Sequence, residues 1–205
     1  MKHAVIVAHP RPDSLTCEIA RAYADTARDL GDEVEFRDLY RMGFNPCLGP
    51  HETPGLKPPR FSQDVLEERE RLAAVDVFAF VYPLWFNAPP AMLKGYVDRV
   101  FGFGFGYEPG PGGMAPLLDG RRLISFTTSG APEAWVRDTG ALSALTTLFD
   151  AHLAAVCGLR VQDHIHNGGI VPGTTAEAVD TILERVRWTA GRLIADARAA
   201  GPVPA

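Results

Sequence analysis

Ala4-Val5-Ile6-Val7-Ala8-His9-Pro10-Arg11-Pro12-Asp13-Ser14-Leu15-Thr16-Cys17 joins an uninterrupted apolar run to a hydroxyl-bearing turn that leads into an amphipathic segment. Apolar residues with no polar alternation read as a strand buried on both faces, the mark of a parallel sheet covered by helices. Apolar positions then recur at Leu15, Ile19, Ala22, Tyr23, Ala27 and Leu30, and Gly31 closes the segment as a helix stop.

The same β-then-α unit repeats along the chain. Glu33 to Leu39 alternates as a more exposed strand would, and the charged run Gln63 to Leu72 reads as a solvent-facing helix. Val77 to Tyr82 is uniformly apolar, Pro90 to Phe101 is helix-like, and Leu123 to Thr127 is a fourth strand. Ala141 to Cys157 forms a helix ending at Gly158, Leu159 to Ile165 a fifth strand, and Thr174 to Ala199 a long amphipathic cover for the sheet. The pattern predicts an α/β fold: a doubly wound five-stranded parallel sheet, order 2-1-3-4-5, with helices on both faces. One domain over residues 1–205 is expected, with long Pro/Gly-rich loops near 43–60 and 102–116.

Composition narrows the function. The 205 residues are 46% hydrophobic and 22% charged, enough for one real core. A formal net charge of −5 leaves no basic footprint for nucleic acid, so no nucleic-acid partner is expected. Cys17, Cys47 and Cys157 are far apart with no C-x-x-C spacing, which points to reduced thiols, mostly in the core. The apolar run after Met1-Lys2-His3 is too short for a signal peptide, and Val77 to Leu93 is interrupted by Pro83, Asn87, Pro89 and Pro90. A cytoplasmic protein with no direct membrane insertion is the expectation.

Open parallel sheets bind ligands beyond the carboxyl ends of their strands, where strand order reverses. The turn from His9 to Cys17 offers helix-end amides, the hydroxyls of Ser14 and Thr16, and charge from Arg11 or His9, a set suited to phosphate. The same residues also suit an ordinary N-cap at Asp13 or Ser14. Neither G-x-G-x-x-G nor a P-loop occurs. After the third strand, Tyr82-Pro83-Leu84-Trp85-Phe86-Asn87-Ala88-Pro89-Pro90 is stiffened by prolines and carries aromatic faces for a flat ring, although Trp85 and Phe86 also read as core. After the fourth, Thr127-Thr128-Ser129-Gly130 is a hydrogen-bonding turn or a plain polar one. Brought side by side by the strand order, the three loops suit a flavin.

These residues resemble the flavodoxin-like NAD(P)H:quinone oxidoreductase family, which includes ancillary subunits of potassium-efflux systems. The motifs are Ala8-His9-Pro10 with Ser14-Leu15-Thr16, Tyr82-Pro83-Leu84-Trp85-Phe86, Pro90-Ala91-Met92-Leu93-Lys94-Gly95-Tyr96, Asp98-Arg99-Val100-Phe101 and Thr127-Thr128-Ser129-Gly130. The resemblance implies a homodimer with FAD, or FMN as the alternative, and NADPH or NADH as co-substrate. Two electrons would pass by ping-pong to a quinone or similar flat small-molecule acceptor. It places His9, Ser14, Leu15 and Thr16 at the flavin phosphate, and Pro83, Leu84, Trp85, Phe86 and Asn87 along the isoalloxazine ring. Thr127, Thr128, Ser129 and Gly130 would bond its polar edge, and Trp135 falls where the family commonly has a tyrosine near the ring. Tyr107 matches a position facing the partner's active site and is the catalytic candidate. The histidine that some members carry just beyond the Trp135 position is absent, the stretch reading Val136-Arg137-Asp138-Thr139-Gly140-Ala141.

Other features weigh less. His164-Ile165-His166 sets two imidazoles on one face of a strand without a third metal ligand in view, so substrate-pocket or surface roles are expected. Phe101, Phe103 and Phe105 alternate with glycines as a mobile apolar wall or a dimer contact, and Asp98-Arg99 reads as a helix-end charge pair. A regulatory flavin-binding subunit of a membrane transporter is the alternative function. A one-electron carrier is disfavoured because it needs no enclosed hydride-acceptor pocket.

Overall fold

A computed structural model of the chain describes residues 1–53, 55 and 58–201. Residues 54, 56 and 57 of the expected 43–60 loop, and 202–205 of the expected single domain, lie outside the described residues. The elements are β1 (Lys2–Val7), α1 (Leu15–Asp29), β2 (Glu33–Asp38), α2 (Gln63–Leu72), β3 (Val77–Pro83) and α3 (Ala91–Val100). A hairpin, β4 (Tyr107–Gly110) and β5 (Gly113–Pro116), follows, then β6 (Arg122–Thr128), α4 (Glu133–Asp138) and α5 (Ala141–Leu145). A π-helical turn (Thr146–Ala151), α6 (His152–Cys157), β7 (Arg160–Asn167) and α7 (Ala176–Ala199) complete the chain.

The main sheet has the order β2-β1-β3-β6-β7 with every pair parallel, the arrangement expected from the sequence once the hairpin is set aside. Alternation along the strands divides the core between the two faces. Ala4, Ile6, Phe78, Phe80 and Tyr82 meet α3 and the segment from Leu145 to Cys157 on one side. Val5, Val7, Ala79 and Val81 meet α1 and α7 on the other. Both neighbours of β1 and of β3 are strands, which is why these runs are apolar throughout.

Several local expectations change. The 102–116 loop contains the β4–β5 hairpin. Phe101 and Phe105 are buried in edge-to-face contact with each other, and Phe101 also packs on Phe78 and Phe80, so they are core and not a mobile wall. The helix from Ala141 is interrupted by the π-helical turn before it resumes as α6. Asp98 pairs with Lys94, while Arg99 turns inward, so the two are no charge pair.

Arg99 is buried and donates to Glu52 (2.9 and 2.8 Å), to Asp64 (2.7 and 3.0 Å) and to the Asn45 carbonyl. That network ties the 43–53 segment to α3 and holds the Glu52 carboxyl at about 2, chiefly through the guanidinium hydrogen bonds. Gly95 makes the approach possible, since a Cβ there would lie 2.1 Å from the Pro46 carbonyl oxygen.

Candidate functional site

The β1–α1, β3–α3 and β6–α4 loops open a cleft of about 180 Å³ at the carboxyl edge of the sheet, where the order turns from β1 to β3. Its walls come from His9, Arg11, Ser14, Leu15 and Thr16 of the first loop, Pro83, Leu84 and Trp85 of the second, and Thr128, Ser129 and Gly130 of the third. Ile170, from the turn after β7, completes it. Sequence reasoning did not single out Ile170, because its place depends on where β7 ends in space.

Ser14 is the N-cap of α1, its Oγ accepting from the Cys17 amide at 3.3 Å. The amides of Leu15 and Thr16, the first two of the helix, have no intrahelical carbonyl within reach. Together with Arg11 they give the floor of the cleft a positive, donor-rich character. The capping and ligand readings of this turn are therefore compatible: Ser14 caps one amide and leaves two. The turn is braced from outside by Arg41, which donates to the Pro10 carbonyl, and by Arg21, which donates to that of Pro12.

His9 Nδ1 meets the Arg11 backbone twice, accepting from its amide at 3.1 Å in one tautomer and donating to its carbonyl at 3.2 Å in the other. Burial lowers the His9 pKa. The ring lies 6.0 Å from that of Trp85 in a tilted pair.

The β3–α3 loop is a tight turn in which Trp85 and Ala88 exchange two backbone hydrogen bonds of 3.1 Å. Phe86 and Asn87 adopt φ of 51° and 55°, the left-handed pair of a type I′ turn. Trp85 is 43% exposed and Phe86 fully exposed, so neither is core. Phe86 and Asn87 do not line the cleft: Phe86 points to solvent, and Asn87 Nδ2 donates to the Ala141 carbonyl at 2.9 Å, anchoring the turn to α5. Trp135, 56% exposed on α4, is also absent from the lining.

Thr127 and Thr128 alternate across β6. The Thr128 hydroxyl meets that of Thr16 at 3.0 Å inside the cleft wall. Thr127 faces the other way, its Oγ1 3.0 Å from His164 Nε2 and 2.9 Å from His166 Nδ1. Its hydroxyl is thus occupied by two imidazoles and is not free to bond a ring edge. These histidines are inside the fold, a correction to the surface role; among the described residues no group of three or more His, Cys, Asp or Glu is placed to hold a metal.

Tyr107 lies at a second cavity of about 310 Å³, lined also by Phe101, Met114, Leu148, Phe149 and His152. It does not reach the first cleft of its own chain.

A family model described as Flavodoxin-like fold matches residues 1–188. The chain belongs to the flavodoxin-like fold family. Among curated proteins it is similar to an uncharacterized NAD(P)H oxidoreductase of Haemophilus influenzae, 33% identical over 161 residues that cover 78% of this chain and 80% of the relative. It is 26% identical to rat NAD(P)H dehydrogenase [quinone] 1, over 78% of this chain and 65% of that one. Among solved structures, an NAD(P)H:quinone oxidoreductase from Methanothermobacter marburgensis superposes with a TM-score of 0.83 at 28% identity, covering 94% of this chain and 96% of that one. The resemblance read from the motifs is thereby borne out at the level of family. These relatives are named as oxidoreductases, and the transporter-subunit reading draws no support from them.

Proposed function

We propose that this member of the flavodoxin-like fold family is a flavin-dependent NAD(P)H oxidoreductase that passes two electrons, as hydride, to a quinone or similar flat electrophile by a ping-pong mechanism. The observation that carries the reading is the convergence of the α1 N-terminus, the Trp85 face and the Thr128–Gly130 turn on one cleft. The donor set fits a flavin: free amides and Arg11 for the phosphate, an indole beside the ring, and small residues that let the ring approach backbone. FAD is the expected form and FMN the alternative; either presents a phosphate to the same helix end.

When bound, the flavin supplies the hydride chemistry, and the protein supplies position and electrostatics. His9 and Arg11 hold the anionic end, with burial lowering the His9 pKa. Pro83 and Leu84 fix the height of Trp85, because the Leu84 amide is anchored to the Thr128 carbonyl at 2.7 Å. Gly130 keeps the third wall low, with only the Ile170 carbonyl within 4 Å of a built Cβ.

A homodimer is part of the proposal. Met114 and Leu148 are exposed beside the second cavity, and a second copy seated there would cover them and carry Tyr107 toward the partner's cleft. The test is an absorbance spectrum of the purified protein before and after anaerobic NADPH or NADH, with sedimentation of the same sample. A yellow dimer that bleaches supports the reading. A colourless chain that takes up neither FAD nor FMN overturns it.

A further inference from the structure

Behind the cleft, a line of hydrogen bonds runs from a buried carboxylate to Ser129. Asp150, in the π-helical turn and 1% exposed, accepts from Ser125 Oγ at 2.8 Å and meets His164 Nδ1 at 2.5 Å. His164 Nε2 meets Thr127 Oγ1 (3.0 Å), which meets His166 Nδ1 (2.9 Å), and His166 Nε2 meets Ser129 Oγ (3.0 Å). Ser129 lines the cleft. No link is broken, and the π-helical turn, β6, β7 and the β6–α4 loop all contribute to it.

The sheet register builds this line. A bulge between Leu123 and Ile124 pairs Ser125 with His164 and Thr127 with His166. Without the extra residue, Thr127 would stand opposite Ile165 and every β7 side chain beyond the bulge would change face. π-helical turns recur at functional sites, and this one delivers Asp150 to the ring.

The donor and acceptor inventory permits two complete hydrogen patterns that differ by one proton. In the first, both rings are neutral. Ser129 donates to His166 Nε2, His166 Nδ1–H to Thr127, Thr127 to His164 Nε2, and His164 Nδ1–H to the Asp150 carboxylate. In the second, His164 is an imidazolium paired with Asp150. Its Nε2–H donates to Thr127, Thr127 to His166 Nδ1, and His166 Nε2–H to Ser129, whose proton turns to the Ala131 carbonyl 2.9 Å away.

We propose that Asp150, His164, Thr127, His166 and Ser129 form a proton relay that delivers one proton per turnover to the cleft at Ser129 Oγ. The proposal rests on the function proposed above, since reduction of a quinone by hydride requires one proton for each hydride. Delivery breaks the Ser129 O–H bond as the reacting oxygen of the bound quinone takes the proton and forms the new O–H bond. Ser129 Oγ takes the proton of His166 Nε2, His166 Nδ1 that of Thr127, and Thr127 that of His164 Nε2. The net change is the loss of one proton from the His164 imidazolium, with no electron moved. The line resets when His164, on the edge strand with slight solvent contact, takes one proton from water and the Thr127 and Ser129 hydroxyls and the His166 tautomer return to the second pattern. Burial holds His166 at about 4, so its ring is neutral at physiological pH and has one donor and one acceptor, as a conductor must. The charged groups around it, Glu133 and Arg137 of α4 and Arg185 of α7, make no hydrogen bond to the ring; Arg185 bonds the His166 carbonyl and the Asn167 side chain. Thr127, His164, His166 and Asp150 are positioning residues, and Ser129 is the one that meets the ligand.

Histidine 15N NMR on the unloaded chain tests the relay directly. Above neutral pH both His164 and His166 are expected as Nδ1–H tautomers, and Asp150→Asn should shift both rings in the otherwise unaltered chain but only His164 when combined with Thr127→Val. Nε2–H at either ring, or a His166 indifferent to Asp150→Asn, overturns the relay. In the flavin-loaded, pre-reduced enzyme, Thr127→Val should slow re-oxidation by a quinone about 10²-fold, the usual size of a general-acid contribution, and abolish its solvent deuterium isotope effect. Thr127→Ser should restore both. Re-oxidation of Thr127→Val at the unaltered rate overturns the relay while flavin binding stands. A flat flavin titration defeats the proposed function instead, and the tautomers still decide whether the line of hydrogen bonds is set for conduction.

Discussion

Thr16 and Thr128, 112 positions apart, share a 3.0 Å hydrogen bond between their hydroxyls in the wall of the cleft. One hydroxyl hydrogen is used in that bond, which leaves the other for a different acceptor. The bond also pins the first turn of α1 to the end of β6, two of the three walls of the site.

Replacing Ser14 and Thr16 together by alanine should therefore weaken flavin retention by roughly 10-fold or more, corresponding to one or two hydrogen bonds to a charged group. The fold should survive, with a loss of about 1–2 kcal/mol for the cap and the buried hydroxyl pair. Fluorescence titration with FMN and FAD, alongside circular dichroism, measures both. Unchanged flavin affinity would remove the phosphate from the α1 N-terminus.

Trp85→Ala should loosen the ring and slow reduction by NADPH or NADH, because Trp85 is 43% exposed in the cleft lining and, among the described residues, no other aromatic side chain apart from His9 lines it. Stopped-flow bleaching of the flavin absorbance reads the effect. A variant that is reduced at full rate would place the ring elsewhere.

Arg99→Leu should cost about 3–5 kcal/mol, since it leaves the Glu52 carboxylate buried without its partner. Urea denaturation measures the loss, and a change under 1 kcal/mol would mean that the 43–53 segment is not held by this pair. Glu52→Gln, which keeps the shape and removes the charge, should cost less.

The pH dependence follows from signs. Glu52 is held at about 2 against an ordinary 4.5, so its contribution is complete above pH 4.5 and disappears as the pH falls toward 2. His166 is held at about 4 against 6.5. Between those values the unfolded chain binds the proton that the folded one refuses, and stability falls as the pH drops from 6.5 to 4. His166→Gln should flatten that limb by up to about 1.4 kcal/mol per pH unit, with His3 and His9, both also lowered by burial, leaving a residual slope. Urea midpoints at a series of pH values would show it, and an unflattened limb would place the His166 ring in water.

The elements of the sheet are legible residue by residue. Val77 to Tyr82 is apolar throughout because both of its neighbours are strands and both of its faces are covered, and Gln63–Leu72 is a helix with the bounds its charge pattern predicts. The β1–α1 turn also declares itself, because a strand end, a capping hydroxyl and a helix start are consecutive in the chain. The hairpin at 107–116 is not legible: its four-residue strands carry too little alternation to stand out from a Gly/Pro-rich loop.

What the sequence by itself determined is the set of local preferences: five strands, the helices between them, and three ligand-suited loops whose order in the sheet follows from parallel α/β topology. What only the tertiary structure decided is which way neighbouring side chains point. Thr127 and Thr128 are equivalent by composition, yet one faces the cleft wall and the other bridges two histidines, because side chains alternate across a strand and a one-residue bulge sets the register of β6 against β7. Asp150 reads as an ordinary residue of an amphipathic helix until the π-helical turn and the neighbouring strand bring it to His164. Such contacts depend on register and packing over long sequence separations, and short-range periodicity contains no record of them.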